Sequence, residues 1–198
     1  MPVRRYTPAI VSAALAALIL TGCAAPAPSP DTAPDASATS SELLAEHDLD
    51  GLDVRAVIDR LDALPVAERP ADLIASVRPD RVEFSDQAGR TTSLPLPDDL
   101  FYTSVAPYTD RTHECFFHSL TTCLGELPNA DVRVIVTDAD GAVLSDEART
   151  TNDNGFVGLW LPRGIQGTIT VERDGLRASR PFSTDADSPT CLTTLQLT

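Results

Sequence analysis

After Asp131 the chain alternates between apolar and polar residues almost to its end, and few folds are compatible with such a pattern. Val132, Val134 and Val136 lie two residues apart, which is the spacing of a strand with one buried face. Turns that contain glycine, of which Asp138-Ala139-Asp140-Gly141 is the clearest, separate the alternating runs. Short strands with turns at intervals of about 8–12 residues are typical of a small sandwich. We therefore predict an antiparallel β-sandwich in this region.

The turns and the strands beside them also resemble those of a known type of β-sandwich. The runs D-G-A-V-L, D-N-G-F and L-W-L-P-R-G are similar to those of transthyretin-like modules, which are appended to many exported proteins. The resemblance implies a transthyretin-like antiparallel sandwich within a C-terminal domain over residues 109–198. It concerns a scaffold and carries no implication about chemistry.

Residues 41–108 predict a smaller N-terminal domain that mixes helix and strand, so the fold class is α+β. A short helical pattern opens at Ser40, and Asp53 is an expected N-cap for a helix from Val54 to Leu64. Pro70 is expected to begin another short helix, over Ala71–Val77. The remaining predicted elements of this domain are a hairpin of Arg81–Ser85 with Arg90–Leu96, and a strand over Leu100–Tyr108.

The first 40 residues predict export and lipid anchoring. Arg4 and Arg5 precede an apolar run from Ala9 to Leu20, which is shorter than the roughly 20 residues of a membrane span and suits a signal peptide. Leu20-Thr21-Gly22-Cys23 matches the bacterial lipobox, so we expect a signal peptide over residues 1–22 and lipidation of Cys23. The alternative is a secretory signal whose Cys23 later pairs with another cysteine. Residues 23–40 are rich in proline and predict a lipidated, disordered tether.

This leader predicts a protein of the cell envelope, extracytoplasmic and anchored to the membrane through lipid. The chain has a formal net charge of −14, and removal of Arg4 and Arg5 makes the mature protein still more acidic. Such a surface repels nucleic acid and anionic lipid, and no basic cluster interrupts it. We therefore expect no nucleic-acid partner. A homodimer is an alternative to a monomer.

The segment from His113 to Cys123 concentrates the chemistry of the chain. It contains Cys115, His118 and Cys123, and Cys191 follows near the C-terminus. Exported cysteines are usually paired, so three of them leave one unmatched thiol. The alternatives that stay open are a disulfide of Cys191 with Cys115 or with Cys123, a disulfide between Cys115 and Cys123, and a metal site. A contact between Cys115 and Cys123 would require the chain to fold back near residues 119–122.

The residue types indicate which metal such a site would prefer. Three thiolates, with or without the imidazole of His113 or His118, suit Cu(I), and Zn(II) is the less favoured alternative. The only methionine is Met1, which is lost with the signal peptide, so a soft-metal site must be built from cysteine and histidine.

Two other functional classes compete with metal binding. Thiol redox chemistry could reduce Cu(II) or a partner disulfide, although no C-x-x-C motif is present. A disulfide-stabilised binding module is the third hypothesis. No hydrolase constellation or phosphate-binding glycine loop is found, so we do not expect an enzyme beyond stoichiometric metal-ion reduction by thiols.

Two stretches carry a closer resemblance to a known family. The sequences S-V-A-P-Y-T-D-R-T-H-E-C-F-F-H-S-L-T-T-C-L-G-E-L and E-H-D-L-D-G-L-D-V-R-A-V-I-D-R-L-D-A-L-P-V-A-E-R-P-A-D-L-I-A-S-V-R-P-D resemble the CueP family of bacterial periplasmic copper-binding proteins. The most specific part is the run H-x-C-x-x-H-x4-C together with the late cysteine. The similarity extends from about Leu43 to Cys191.

This resemblance implies a two-domain protein that binds copper through Cys115, Cys123 and Cys191. It also implies a role in copper resistance, and delivery of copper as a chaperone to an extracytoplasmic copper-dependent superoxide dismutase. Metal-ion reduction by the thiols is a further implied activity. The predicted lipid anchor departs from the family pattern and puts the copper-receiving partner in doubt.

Overall fold

The structure is a computed structural model, which describes the backbone of residues 36–198 and the side chains from Ser41 onward. The predicted signal peptide, Cys23 and most of the predicted tether lie outside these residues. Within the described part, no helix is both long and apolar enough to cross a membrane.

Two helices open the described chain. Helix α1 spans Ala36–Ala45 and so begins four residues before the expected start at Ser40, inside the predicted tether. Helix α2 spans Val54–Asp62, and the Asp53 carboxylate accepts a hydrogen bond from the Ala56 amide at 2.9 Å, which confirms the predicted N-cap. A short 3₁₀ helix, Val66–Glu68, follows Pro65.

The helix predicted over Ala71–Val77 is wrong, because these residues form strand β1, Leu73–Val77. Leu73, Ala75 and Val77 are buried, whereas Ile74 is 52% exposed. The five residues therefore follow a period of two, and a run this short fits either helix or strand until tertiary contacts decide. Antiparallel pairing with the next strand decides for strand.

The predicted N-terminal hairpin is confirmed. Strand β2, Arg81–Asp86, pairs with β3, Thr91–Pro95, and with β1, so these strands form an antiparallel sheet in the order β1-β2-β3. Buried leucine, valine and phenylalanine side chains of this sheet pack against α1 and α2. Tyr102 and Leu120 complete that core.

The later strands form two more sheets. The first has the order β10-β4-β7, from Cys191–Gln196, Leu100–Tyr108 and Val157–Pro162. The second has the order β6-β5-β8-β9 and is antiparallel; its strands are Val143–Thr150, Asp131–Asp138, Gln166–Arg173 and Leu176–Ser183. Valine, leucine and isoleucine side chains of both sheets share one core, as expected for a sandwich.

This arrangement corrects one part of the predicted sandwich. Strand β10 runs parallel to β4, with Cys191 opposite Ser104, so the sandwich is not purely antiparallel. The structure is mostly β-sheet with few helices and so agrees with the α+β class in its coarse form. The transthyretin-like topology stays a prediction.

Strand β4 connects the parts of the molecule. It belongs by sequence to the predicted N-terminal domain but hydrogen bonds to β7 and β10. Tyr102 enters the core with the helices, Val105 enters the sandwich core, and Ala106 packs in a small cluster with Phe156 and Cys191. The partly buried Cys115 and Cys123 pack against this last cluster, so the cysteine segment packs on β4 through Ala106.

Two glycines allow the cysteine segment to lie against the turn that precedes β7. A Cβ atom added to Gly125 would lie 2.7 Å from the Gly155 carbonyl oxygen, and the Gly125 amide donates to the Asn154 carbonyl at 2.6 Å. Gly155 itself has a φ of +79°, where other residues are strained. Both positions therefore require glycine because the two backbones lie too close for a Cβ atom, and Gly155 requires it also because of its positive φ.

We expect Gly155→Ala to lower the free energy of unfolding by more than about 1 kcal/mol, because it combines an unfavourable φ with a backbone clash. Gly141→Ala is the matched control, since its φ is +85° and no heavy atom of the described residues lies within 4 Å of its added Cβ. Urea denaturation should show a larger loss for Gly155→Ala. Equal losses would mean that the close approach to Gly125 contributes nothing.

Candidate metal centre

The cysteine segment lies between β4 and β5 and is held against β1. The Val77 amide donates to the His118 carbonyl at 2.8 Å, and the Leu120 amide donates to the Ala75 carbonyl at 2.8 Å. Thr190, the residue before β10, joins the two sides: its hydroxyl donates to the Val77 carbonyl at 2.7 Å and accepts from the His118 amide at 3.0 Å. These bonds fix the backbone on which the candidate ligands stand.

Glu126 fixes the beginning of the same segment. Its carboxylate accepts from the amides of Thr109, Asp110 and Arg111 at distances of 2.6 to 3.0 Å. These backbone donors, with Asp110 and Thr109 foremost, hold the pKa of Glu126 below its usual value. The strand β4 therefore leads into the cysteine segment through an ordered turn.

The three cysteines meet in one place. Cys115 and Cys191 are joined by a disulfide, with Cα atoms 5.6 Å apart, which is one of the pairings that the sequence left open. Cys123 has a free thiol, and its sulfur atom lies 3.7 Å from that of Cys115. The chain folds back over residues 119–122 as required, with the Cys123 amide donating to the Ser119 carbonyl at 3.1 Å.

The structure brings both candidate histidines to the cysteines, in two different groups. His113, Cys115 and Cys123 form one group in which the ligand atoms lie within 4.8 Å of one another. His118, Cys123 and Cys191 form a second such group. His113 is exposed, His118 is fully buried, and Cys123 belongs to both groups. The thiol of Cys123 therefore lies close both to the exposed His113 and to the buried His118.

His118 is held by a buried carboxylate. Its Nε2 atom lies 2.8 Å from Asp62 Oδ1, and its Nδ1 atom lies 3.9 Å from Cys191 Sγ. Burial lowers the pKa of His118, but the charge and hydrogen bond of Asp62, together with a smaller contribution from Cys123, outweigh it and raise the pKa to about 9. Burial raises the pKa of Asp62, and His118, Tyr102 and Asn154 together bring it below its usual value.

Asp62 is the centre of a hydrogen-bond network that the sequence analysis missed. Its carboxylate accepts from the Tyr102 hydroxyl at 2.6 Å and from Asn154 Nδ2 at 2.8 Å. The Ser104 hydroxyl is 3.4 Å away. A signal was available for Asp62, because it follows Ile58 by four residues and so lies on the buried face of α2. No local pattern marks Tyr102 or Asn154.

Arg69 hydrogen bonds to the backbone of Cys123 and places a positive charge near its thiol. Its Nη1 atom donates to the Cys123 carbonyl at 2.8 Å, and its Nε and Nη2 atoms are buried with no hydrogen-bond partner among the described residues. Burial raises the pKa of the Cys123 thiol, but His118, the Ser119 amide and the Arg69 charge outweigh it and lower the pKa below its usual value. A lowered pKa favours the thiolate, which is the nucleophile and the metal ligand.

Thiol and imidazole groups gathered in one corner of a small β-rich protein are features of a soft-metal-binding or thiol redox protein. A family model described as periplasmic copper-binding protein CueP matches residues 56–196. The chain belongs to the CueP family, which confirms the resemblance seen in the sequence. Since the family is periplasmic, the protein is extracytoplasmic.

A solved structure supports the same assignment. The crystal structure of S.CueP is 43% identical to this chain with a TM-score of 0.75, and the match covers 80% of this chain and 96% of that one. No curated protein matches the chain.

Proposed function

We propose that this protein binds Cu(I) outside the cytoplasm, through the thiolates of Cys115, Cys123 and Cys191. The observation that carries the proposal is the position of Cys123, whose thiol belongs to two donor groups with ligand atoms within 4.8 Å. Sulfur and imidazole donors at such separations suit a soft ion of low coordination number, and membership of a copper-binding family favours copper. Zn(II) is the less favoured alternative.

The two histidines have different places in this proposal. His118 is the interior ligand, because it is fully buried beside Cys123 and Cys191. His113 is exposed beside Cys115 and Cys123, where it suits the arrival or release of the ion. All three cysteines are available as ligands only after an external thiol reductant has reduced the Cys115–Cys191 disulfide to two thiols, with uptake of two electrons and two protons. The thiols release their protons when they bind the ion as thiolates.

A second function is favoured by the disulfide itself. We propose that the reduced Cys115–Cys191 pair can also reduce copper: two Cu(II) ions take one electron each and the two thiols become the disulfide and release two protons. The free thiol of Cys123 lies 3.7 Å from Cys115 Sγ and remains to retain Cu(I). This chemistry is stoichiometric unless another reductant restores the thiols.

The cellular setting also belongs to the proposal. Lipidation of Cys23 would hold the protein at the membrane by a tether that reaches only nearby acceptors. Sequestration of copper, or its delivery to an extracytoplasmic copper-dependent superoxide dismutase, would both account for a role in copper resistance. The organisation as an N-terminal domain over residues 41–108 and a domain over residues 109–198, and a homodimer, stay proposals.

A Cu(I) competition titration against a chromophoric chelator tests copper binding. The reduced protein, prepared without the predicted signal peptide and Cys23, is expected to bind Cu(I) tightly. The variant with serine at positions 115, 123 and 191 is expected to fall to background, and His118→Ala should weaken binding. His47→Ala is the matched histidine control. Equal binding by wild type and the triple serine variant would refute the proposal.

Thiol counting tests the reduction. Two thiols should disappear from the reduced protein for every two Cu(II) ions added, and peptide mapping should then find Cys115 joined to Cys191. An unchanged thiol count after Cu(II) addition would exclude this second function without affecting Cu(I) binding.

A further inference from the structure

The contact between Asp62 and His118 joins a helix of the N-terminal part to the cysteine segment. Asp62 ends α2, lies 56 residues before His118 in the sequence and is only 2% exposed. We propose that Asp62 is a positioning residue of the metal centre, which holds His118 with its Nε2 proton toward the carboxylate and its Nδ1 atom toward the sulfur atoms. This inference rests on the proposed function, because it concerns how one proposed ligand is presented.

The hydrogen bonds around Asp62 settle which group is the donor. The amide of Phe156 donates to Asn154 Oδ1 at 2.9 Å, so the oxygen of that side chain is fixed and its Nδ2 must face Asp62. Asn154 Nδ2 is a donor and lies 2.8 Å from Asp62 Oδ1. The Tyr102 hydroxyl lies 2.6 Å from the other oxygen. A carboxylate that receives these donors is an acceptor, so His118 Nε2 carries the proton.

The other ring nitrogen of His118, Nδ1, is directed toward the cysteine sulfur atoms. His118 Nδ1 lies 3.9 Å from Cys191 Sγ, and the ring and the sulfur atoms of Cys123 and Cys191 form the interior donor group. Since Nε2 keeps its proton, Nδ1 is the only ring atom that can offer a lone pair, and it does so once an arriving ion has displaced the Nδ1 proton of the imidazolium. A carboxylate on the far nitrogen also makes the imidazole a stronger donor, as second partners of metal-bound histidines do.

Packing around the His118 imidazole prevents it from rotating away from Asp62. His118 is fully buried, and its ring centre lies 4.6 Å from that of Phe156. Asn154 contacts both the carboxylate and the main-chain carbonyl of Asp62, which fixes the end of α2 against the turn before β7. A rotated ring would leave the carboxylate and the imidazole without their partners in a buried site, where unmade hydrogen bonds are costly.

A double-mutant cycle tests whether Asp62 acts through His118. Asp62→Asn retains the size of the side chain, and we expect it to weaken Cu(I) binding by the reduced protein about 10–100-fold. In the His118→Ala background the same change should have no further effect on Cu(I) affinity. Asp59→Asn is the matched control, because Asp59 lies on the same helix, is exposed and contacts Trp160 instead.

Imidazole ¹⁵N spectra of the metal-free protein provide a readout that does not depend on copper. As the pH is raised until the ring loses one proton, the neutral His118 of the wild type should be the Nε2–H tautomer. The Nδ1–H tautomer should become populated in Asp62→Asn and not in Asp59→Asn. Urea denaturation of each variant confirms that the comparison is made between folded proteins.

The outcomes separate this inference from the proposed function. If the wild type binds Cu(I) tightly but Asp62→Asn is unchanged, or weakens binding equally in the His118→Ala background, the positioning role is refuted and copper binding stands. If the wild type binds no better than the triple serine variant, the proposed function fails and the ligand role of His118 with it. The ¹⁵N spectra then still decide whether Asp62 sets the tautomer.

Discussion

Reduction of the Cys115–Cys191 disulfide is expected to lower the free energy of unfolding by about 4.5 kcal/mol. The bond joins residues separated by 76 positions, so it removes a large amount of chain entropy from the unfolded state. It also anchors the cysteine segment to the first residue of β10. Urea denaturation with and without reductant measures the difference.

Serine variants separate the disulfide from the other effects of a reductant. Cys123→Ser leaves the disulfide in place, so its oxidised form should unfold at nearly the same urea concentration as the wild type and should lose the same stability on reduction. Cys115→Ser combined with Cys123→Ser leaves Cys191 without a neighbouring thiol among the described residues. This double variant should match reduced Cys123→Ser and be insensitive to reductant. Oxidised and reduced wild type of equal stability would contradict the account, and peptide mapping would then identify which cysteines are paired.

The fold could be predicted from sequence where local and tertiary preferences agree. Helix α2 combines the Asp53 cap with a repeating apolar face, and the β5 region alternates with a strict period of two. Leu73–Val77 is different, because its short apolar run fits helix or strand and its pairing with β2 decides. The parallel alignment of β10 with β4 depends on residues about 87 positions apart in sequence, for which no local signal exists.

Some residues of the candidate site could likewise be predicted from the sequence, and others could not. Cys115, Cys123 and His118 could be singled out because cysteine and histidine are rare in this chain and occur close together. Asp62 could have been noticed from its place on the buried face of α2. Tyr102 and Asn154 could not, because they come from a strand and a turn that meet the helix only in the folded protein. The chain contains many aspartates, so burial and not residue type distinguishes Asp62 from the others.

Loss of the Asp62 carboxylate is expected to have a comparably large effect on stability. Asp62→Ala should lower the free energy of unfolding by about 3–5 kcal/mol at neutral pH, because it leaves a buried, protonated His118 without its partner. The hydroxyl of Tyr102 and the amide of Asn154 also lose their acceptor. Asp59→Ala, on the exposed face of the same helix, should cost much less.

The pH dependence of that loss identifies the ion pair as its cause. The pKa of His118 is raised from 6.5 to about 9, so its contribution to stability is complete below pH 6.5 and is lost as the pH rises through about 9. The pKa of Asp62 is lowered from 3.8, so its contribution is present above pH 3.8 and is lost as the pH falls through the folded value. The stability difference between wild type and Asp62→Ala should therefore be largest between pH 3.8 and 6.5 and shrink toward pH 9.

The free thiol must be removed before this pH dependence can be interpreted. The pKa of Cys123 is lowered from 9.0, so the folded thiolate adds stability as the pH rises, which opposes the trend of His118. Urea denaturation of Cys123→Ser and of Cys123→Ser with Asp62→Ala isolates the histidine contribution. A stability difference that does not change with pH would mean that Asp62 supports the core by neutral hydrogen bonds alone, and that His118 is uncharged in the folded protein.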